Sequence, residues 1–284
     1  MSDRPPVPVQ LVIVPYDTAR RHWAMGAGPA HLLNRSLVEE LEAQGHEVAV
    51  TVVDAPADDL AEVRTAFALM TPIAATVRKA RQIGRFPLVL AGNCNTAVGT
   101  VAGLDFADST GVFWFDAHGD FNTPDTTPSG TLDGMALAML TGRCWRASCR
   151  AIPGFLPVRE DATCLVGTRD LDPLEAEALQ DSEVWRVGAG DAVARLSVVA
   201  REVAARAAAA YLHIDLDVLD QGVGRVNRYA APGGLTADAL VASIETIIET
   251  MPVQAAAITA YDPAYDTDGT IGEVAARVIR AILR

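Results

Sequence analysis

Long apolar runs and basic charge are both scarce in this 284-residue sequence. No stretch reaches the roughly 18 uninterrupted apolar residues that a membrane span needs, and the apolar run from Val198 to Leu212 is broken by charged side chains. The first ten residues, MSDRPPVPVQ, contain no apolar signal core. We therefore expect no membrane association, no export and a cytoplasmic location.

The deficit of positive charge bears on possible partners. Lysine and arginine number 23 against 36 acidic residues, so the formal net charge is -13. Nucleic acids and anionic membranes favour a basic face, and neither is expected as a partner. The acidic balance suits a cation-binding protein, although solubility alone explains it at least as well. Four cysteines lack CxxC spacing, which disfavours structural zinc and a disulfide framework.

Short β-branched runs alternate with longer amphipathic runs, which indicates βαβ units and one large α/β domain over residues 1–284 with a mostly parallel sheet. The predicted strands are Val9–Val14, Val48–Val53, Pro87–Ala91, Val112–Phe115, Thr163–Gly167, Glu183–Val187, Tyr211–Ile214 and Gln254–Thr259. The predicted helices are Ala30–Gln44, Leu60–Gly84, Leu174–Leu179, Asp191–Ala210, Ala237–Met251 and Ile271–Leu283. Three stretches stay unassigned and are candidates for a binding rim: Thr123–Asp133, Arg146–Asp161 and Gln221–Gly234.

The segment FWFDAHGDFN, residues 113–122, follows a bulky apolar strand with polar side chains at alternate positions. Asp116, His118 and Asp120 can share a face of an extended chain and turn toward one point. Burying two carboxylates with an imidazole is costly unless a cation compensates them. A turn with solvated aspartates, or local hydrogen bonding between an Asp and the His, is the alternative.

Two further strand ends carry candidate ligands. Asp215 and Asp217 end the strand in YLHIDLDVLD, residues 211–220. Such a pair alone is often a turn or cap, but two clusters on separate strand ends are harder to explain that way. In LAGNCNTAVGT, residues 90–100, Cys94 is either a thiolate ligand or a small buried apolar side chain.

Oxygen ligands with one imidazole favour manganese, magnesium or iron(II) over structural zinc. Two clusters with five Asp or His groups can supply a pair of metals that share carboxylates. The chemistry this implies is a metal-bridging hydroxide that attacks an electrophilic carbon, because the cations lower the pKa of water.

Four motifs, in order along most of the chain, resemble those of the arginase-like (ureohydrolase) family, which includes arginase, agmatinase and formimidoylglutamase. MGAGPAHLL at 25–33 is similar to its early glycine-proline stretch, FDAHGDFNTPDTTPSG at 115–130 to its second metal motif, VGTRDLDPLE at 166–175 to its GxRDxDxxE segment, and HIDLDVLD with GGLT at 213–236 to its DxDxxD motif. The resemblance implies a three-layer α/β/α sandwich, hydrolysis of a non-peptide C–N bond, two Mn²⁺ per chain and a homo-oligomer.

The resemblance also assigns roles to single residues. The residues that match manganese ligands are Asp116, His118, Asp120, Asp215 and Asp217. Asn122 and Ser129 match residues that read a substrate α-carboxylate, and Asp172, with Glu175 nearby, matches those that read an α-amino group. The implied substrate is a small amino acid or close analogue, and Asp120 is expected to orient the hydroxide.

Several positions depart from the family pattern. Cys94 stands where the family has a histidine ligand, and its softer thiolate could alter metal choice, weaken one site or leave it vacant. A branch of the family that acts on N-hydroxyarginine accepts Cys there. Asp133 replaces a histidine thought to shuttle protons and can do acid/base work if its pKa is raised. Ala260 replaces a guanidinium-binding glutamate, which makes plain arginine a doubtful substrate.

Arg228, in a pocket loop, either binds a substrate carboxylate in a forked geometry or is a surface arginine.

Three functional hypotheses follow. The leading one is a binuclear hydrolase of a guanidino, N-hydroxyguanidino or formimino amino acid. The second is a mononuclear amide or imine hydrolase in which Cys94 is not a ligand. The third is a catalytically inactive homologue that binds an amino acid.

Overall fold

The computed structural model describes residues 5–56, 61–104 and 109–284. Its central sheet has eight strands in the order β4-β1-β5-β10-β9-β6-β7-β8, and every neighbouring pair is parallel. The bounds are β1 Val9–Val14, β4 Val48–Val52, β5 Phe86–Ala91, β6 Thr110–Phe115, β7 Thr163–Val166, β8 Trp185–Val187, β9 Ala209–Asp215 and β10 Val253–Thr259, while β2 Tyr16–Asp17 and β3 Arg20–Arg21 form a separate small hairpin. All eight strands predicted from the sequence are present, and the parallel sheet is confirmed.

Helices connect the strands. Their bounds are α1 Gly28–Asn34, α2 Leu37–Ala43, α3 Glu62–Gln82, α4 Thr96–Ala102, α5 Ala136–Leu140, α6 Arg146–Arg150, α7 Pro173–Gln180, α8 Ala192–Ala204, α9 Ala237–Thr250 and α10 Thr270–Leu283. The helix predicted over Leu60–Gly84 corresponds to α3, and its predicted first residue, Leu60, lies outside the described residues. Within the described ranges, no helix combines the length and apolar character needed to cross a bilayer.

Side chains from alternate strand positions enter two separate hydrophobic cores. Leu11 on β1 packs into the core that includes residues of α1, α2, α8, α9 and α10. Val12, its neighbour, packs on the other face with residues of α3, α4, α5, α6 and α7. Strands buried on both faces need apolar residues at every position, which explains their unbroken apolar runs. The three-layer α/β/α sandwich is therefore confirmed.

Three local predictions of helix were wrong or incomplete. The single helix expected over Ala30–Gln44 is divided at Ser36, which has a left-handed φ of 66°. The helix expected to reach Ala210 ends at Ala204, because Ala209 already begins β9. Helix α4 is absent from the predicted helices because its sequence, TAVGTVA, contains one glycine and four β-branched residues, which are weak helix formers.

The sheet order places the predicted ligands together. Strands β5, β10, β9 and β6 are consecutive neighbours in the sheet. Because they are parallel, their carboxyl ends lie along one edge, where ligands collect in folds of this kind. Cys94, Asp116 and Asp215 lie at or just beyond the ends of β5, β6 and β9, respectively.

Candidate metal centre

Asp116 is the anchor of the site. It directly follows β6 and is buried. The indole of Trp114 donates a hydrogen bond from Nε1 to Asp116 Oδ2 at 3.0 Å, and the His118 backbone N–H donates to Oδ1 at 2.7 Å. Both carboxylate oxygens are therefore oriented by their neighbours, and the turn after the strand is held in place.

The first ligand group joins β6 to β9. His118 Nδ1 lies 3.3 Å from Asp116 Oδ1 and 3.4 Å from Asp217 Oδ2. Asp217 accepts hydrogen bonds from the Ala117 backbone N–H at 3.2 Å and from Asn227 Nδ2 at 3.2 Å. One ligand atom from each of Asp116, His118 and Asp217 lies within 4.8 Å of the others, so this group can hold one cation.

The second ligand group joins β6 to the loop after β5. Ligand atoms of Cys94, Asp116 and Asp120 lie within 4.8 Å of one another. The Cys94 thiol donates to Asp215 Oδ2 at 3.1 Å, which brings β9 into the same cluster. Asp116 belongs to both groups and is thus placed to bridge two cations.

Asp120 provides the test of whether a cation fits. Its Oδ2 is buried with no hydrogen-bond partner, although buried carboxylate oxygens are normally satisfied. Its backbone adopts a left-handed φ of 49°, and its carbonyl accepts hydrogen bonds from the N–H groups of Leu137 and Ala138 at 2.9 and 3.0 Å. An unpartnered oxygen held in a cluster of ligands suits a divalent cation.

The electrostatics of the cluster point the same way. Burial, reinforced by neighbouring carboxylates, raises the pKa values of Asp116, Asp120 and Asp215 above their usual range, and burial beside the same carboxylates raises the pKa of the Cys94 thiol. Asp217 is also buried, but the nearby His118 outweighs this and lowers its pKa to about 2. Crowded buried carboxylates are costly without positive charge, which one imidazole cannot supply for four of them.

The ligand groups lie at the base of a cavity of about 260 Å³. Cys94, His118, Asp120, Asp215 and Asp217 line it, whereas Asp116 lies beneath its surface. The other predicted site residues that line the cavity are Asn122, Ser129, Asp133, Asp172 and Glu175. Arg228 is not among the described residues that line the cavity. Its guanidinium packs over the ring of Tyr229, 4.6 Å from the ring centroid.

The half-buried Asp133 and the buried Glu175 are acids with pKa values near neutrality. Burial raises the pKa of Asp133 to about 7, against hydrogen bonds from the Asn95 backbone and the Asn93 side chain that lower it. Burial likewise raises the pKa of Glu175 to about 7, although its carboxylate accepts hydrogen bonds from the Phe121 and Asp172 backbones at 2.8 and 3.2 Å. Through these contacts Glu175 connects helix α7 to the candidate metal-binding segment after β6.

Four residues of the site were not identified from the sequence. Asp17, Asn93 and Asn227 line the cavity, and His213 lies directly below it in the core of the sheet. The sequence signal that could have identified two of them is their position along the chain, since Asn93 follows a strand end and Asn227 lies in an unassigned loop. His213 is fully buried, stacks on Trp114 with ring centroids 3.6 Å apart, and has its pKa lowered to about 3 by burial.

Arg169 ties the loops around the site together. Its guanidinium donates hydrogen bonds to six backbone carbonyl groups of the described residues, at distances of 2.8 to 3.3 Å: those of Gly167, Asp217, Val218, Leu219, Ala231 and Pro232. The backbone of the candidate ligand Asp217 is therefore fixed by a residue that follows a different strand, β7.

The sequence profile of the arginase family matches residues 7–284. The chain belongs to the arginase family. The arginase of Bacillus caldovelox is 27% identical over 97% of both chains, and the hepatic arginase of Aquarana catesbeiana is 30% identical over 83% of this chain and 79% of its own length. The native structure of the Bacillus caldovelox enzyme has a TM-score of 0.90 and 25% identity, with 98% of each chain covered.

Arginase-family members are hydrolases that act on C–N bonds other than peptide bonds, and they bind small amino-acid-like substrates. The family and the enzyme class predicted from the sequence are thus confirmed. Family members depend on a pair of divalent metal ions, and the two ligand groups are the candidates for holding them in this chain. The roles of the individual side chains stay predictions.

Proposed function

We propose that this arginase-family chain hydrolyses a C–N bond in the guanidino, N-hydroxyguanidino or formimino group of an amino acid, with two Mn²⁺ ions. The observation that carries the proposal is the pair of ligand groups, drawn from the ends of β5, β6 and β9, that share Asp116, together with the buried and unpartnered Asp120 Oδ2. The proposed ligands are Cys94, Asp116, His118, Asp120, Asp215 and Asp217.

The cations would lower the pKa of a water molecule and so supply a nucleophile at neutral pH. Asp120 lines the cavity beside the candidate ligands Cys94 and Asp116, so its carboxylate could accept a hydrogen bond from that water and orient it. Asp133 lines the same cavity with a pKa of about 7. A group with that pKa can take up a proton and release it to the departing nitrogen.

The amino-acid end of the substrate would lie at the rim. Asn122 Nδ2 donates to Asp172 Oδ2 at 2.9 Å, and Thr126 Oγ1 donates to Asn122 Oδ1 at 3.0 Å, so both side chains are held in fixed orientations. The remaining amide hydrogen of Asn122 and the exposed hydroxyl of Ser129 suit a carboxylate, and Asp172 suits an ammonium group.

Ala260 bears on the reacting end of the substrate. It is buried, lines the cavity and follows β10. A carboxylate there would pair with a cationic guanidinium, an interaction worth about 1.5–3 kcal/mol, and the methyl group offers nothing in exchange. We therefore propose that an N-hydroxyguanidino or formimino amino acid is a better substrate than arginine.

Metal content and turnover test the proposal together. After removal of metal with a chelator and reloading with Mn²⁺, we expect two ions per chain by elemental analysis. Candidate substrates are arginine, N-hydroxyarginine and formiminoglutamate, with agmatine as the matched control that lacks the α-carboxylate. Manganese-dependent release of urea, hydroxyurea or formamide from the amino acids, and not from agmatine, is the expected outcome.

Binding of these compounds without turnover by the two-metal protein would contradict the proposal and favour an inactive amino-acid-binding homologue. Full activity with one ion per chain would favour the mononuclear alternative. A homo-oligomer in the cytoplasm, formed from single-domain chains, is part of the same proposal. Sedimentation of the metal-loaded protein tests the assembly.

A further inference from the structure

A chain of hydrogen bonds runs through the core of the sheet to the sulfur of Cys94. The hydroxyl of Tyr211 lies 3.0 Å from His213 Nδ1, and the hydroxyl of Thr259 lies 3.2 Å from His213 Nε2. Thr259 Oγ1 also lies 3.3 Å from Cys94 Sγ. Tyr211, His213, Thr259 and Cys94 are all buried, and strands β9, β10 and the loop after β5 supply them.

The chemistry of these groups fixes the direction of the hydrogen bonds once sulfur is a metal ligand. A ligating cysteine is a thiolate and can only accept a hydrogen bond. The Thr259 hydroxyl then donates to Cys94 Sγ, and the Thr259 oxygen accepts a hydrogen bond from the N–H at His213 Nε2. His213 Nδ1 carries no hydrogen in that case and accepts from the Tyr211 hydroxyl. Each donor in this series of three hydrogen bonds meets one acceptor, so the three directions are mutually consistent.

The other acceptor near the Thr259 hydroxyl is less suitable. The carbonyl oxygen of Ile214 lies 3.4 Å from Thr259 Oγ1, beyond the usual range of about 2.5–3.0 Å for a hydrogen bond between oxygens. Sulfur forms longer hydrogen bonds because its radius is larger, and a charged acceptor strengthens the bond. The thiolate is therefore the preferred acceptor.

We infer that Thr259 is a positioning residue that orients and stabilises the Cys94 thiolate as a ligand of one cation, with His213 and Tyr211 fixing the direction of the Thr259 hydroxyl. The inference rests on the proposed function, in which Cys94 binds metal. The thiol proton, which Cys94 donates to Asp215 at 3.1 Å, leaves to solvent when the cation binds. Outer partners of this kind typically change metal affinity about 10- to 100-fold.

Cobalt(II) gives a direct view of the sulfur, since a Co²⁺–thiolate bond produces a charge-transfer absorption. We expect Thr259→Val, which keeps the shape and removes the hydroxyl, to weaken Co²⁺ binding at the sulfur-containing site about 10- to 100-fold. It should also move the absorption to longer wavelength, because a thiolate without its hydrogen bond gives up an electron more easily. Thr259→Ser should restore both properties, and Thr259→Ala should repeat the effect of valine.

Thr163→Val is the matched control. Thr163 is also buried on a strand, but its hydroxyl donates to the Arg159 carbonyl at 2.8 Å, at the amino end of β7. Its loss should change neither affinity nor wavelength. In a Cys94→His background, which has no thiolate ligand, the charge-transfer absorption should be absent both with Thr259 and with Thr259→Val.

Unchanged affinity and wavelength in Thr259→Val would overturn the inference. If the unmodified protein bound two Co²⁺ with no thiolate absorption, Cys94 would not be a ligand; the inference would fail, while the hydrolase proposal would survive with a different ligand set. If it bound neither Co²⁺ nor Mn²⁺, both would fail.

Discussion

Asn93 Nδ2 lies 2.7 Å from Asp133 Oδ2 and donates a hydrogen bond to the carboxylate that we propose as the proton carrier. The Asn95 backbone N–H donates to the other oxygen at 3.2 Å. Burial raises the pKa of Asp133 while these two donors lower it, and the balance leaves it at about 7. The amide of Asn93 thus helps to keep the acid within the range useful for catalysis at neutral pH.

Removing that hydrogen bond should move the pH dependence of turnover. In Asn93→Ala the ionised form of Asp133 loses a donor, so its pKa rises and the acidic limb of the kcat profile should shift upward by about 1 pH unit. Asp133→Asn should lower kcat about 100-fold or more and abolish that limb. The measurement is kcat against pH from 5 to 9 at saturating Mn²⁺. An unshifted limb in Asn93→Ala would show that Asp133 does not set it.

Substitution of Asp120 should remove metal and activity while the fold survives. Asparagine is the suitable replacement, because it tolerates the left-handed backbone at this position better than alanine does. We expect Asp120→Asn to weaken Mn²⁺ binding at least about 100-fold and to abolish turnover, with an unchanged circular dichroism spectrum. Asp125→Asn, on the exposed part of the following loop, should bind and turn over normally. Retained turnover in Asp120→Asn would refute the mechanism.

Ala260 offers a test of substrate preference. In Ala260→Glu, a carboxylate in the cavity can pair with a guanidinium, and kcat/KM for arginine should rise about 10-fold or more. Ala260→Gln has the same length without the charge and should leave arginine turnover low. Competition between arginine and N-hydroxyarginine measures the change in preference. Equal gains in the two variants would show that size, not charge, limits arginine.

Glu175 should make the metal-free protein less stable as pH rises. Its pKa is about 7 in the folded chain and 4.5 as a free side chain. A group with a raised folded pKa contributes its stabilisation below the unfolded value and loses it as pH rises through the folded value. Relative to Glu175→Gln, the chelator-treated protein should therefore lose about 3 kcal/mol of unfolding free energy between pH 4.5 and 7.

Urea unfolding at several pH values measures this difference. Glu177→Gln is the control, since Glu177 is exposed on the same helix, α7, and should show no such trend. A difference between Glu175→Gln and the unmodified chain that stays flat from pH 4.5 to 7 would mean that Glu175 titrates near its ordinary value.

Periodicity predicted the sheet well because its inner strands, such as β1, β6, β7 and β9, are buried on both faces and therefore read as apolar runs. Helix α4 was missed for a reason that lies in tertiary packing. A Cβ atom at Gly99 would lie 2.7 Å from the Met70 carbonyl oxygen of α3, so the two helices approach too closely for a side chain. Glycine there weakens the local helix signal while it permits the contact that stabilises the helix.

The same limit applies to the candidate site. Asp116, His118, Asp120, Asp215 and Asp217 could be identified because alternate spacing at a strand end is a local pattern. Thr259 and His213 carry no such pattern, since their hydrogen bonds to Cys94 and to each other join residues 165 and 46 positions apart. The substrate contact suggested by the type and loop position of Arg228 stays a prediction; its guanidinium packs on Tyr229, which lines the cavity.

Arg169 binds its surroundings through main-chain oxygens, which every residue type provides. The hydrogen bonds from Arg169 to Leu219, Ala231 and Pro232 therefore do not depend on which side chains stand at those three positions. Single substitutions at these positions can bring new substrate contacts into the loop, while its backbone keeps its place beside the candidate ligand Asp217.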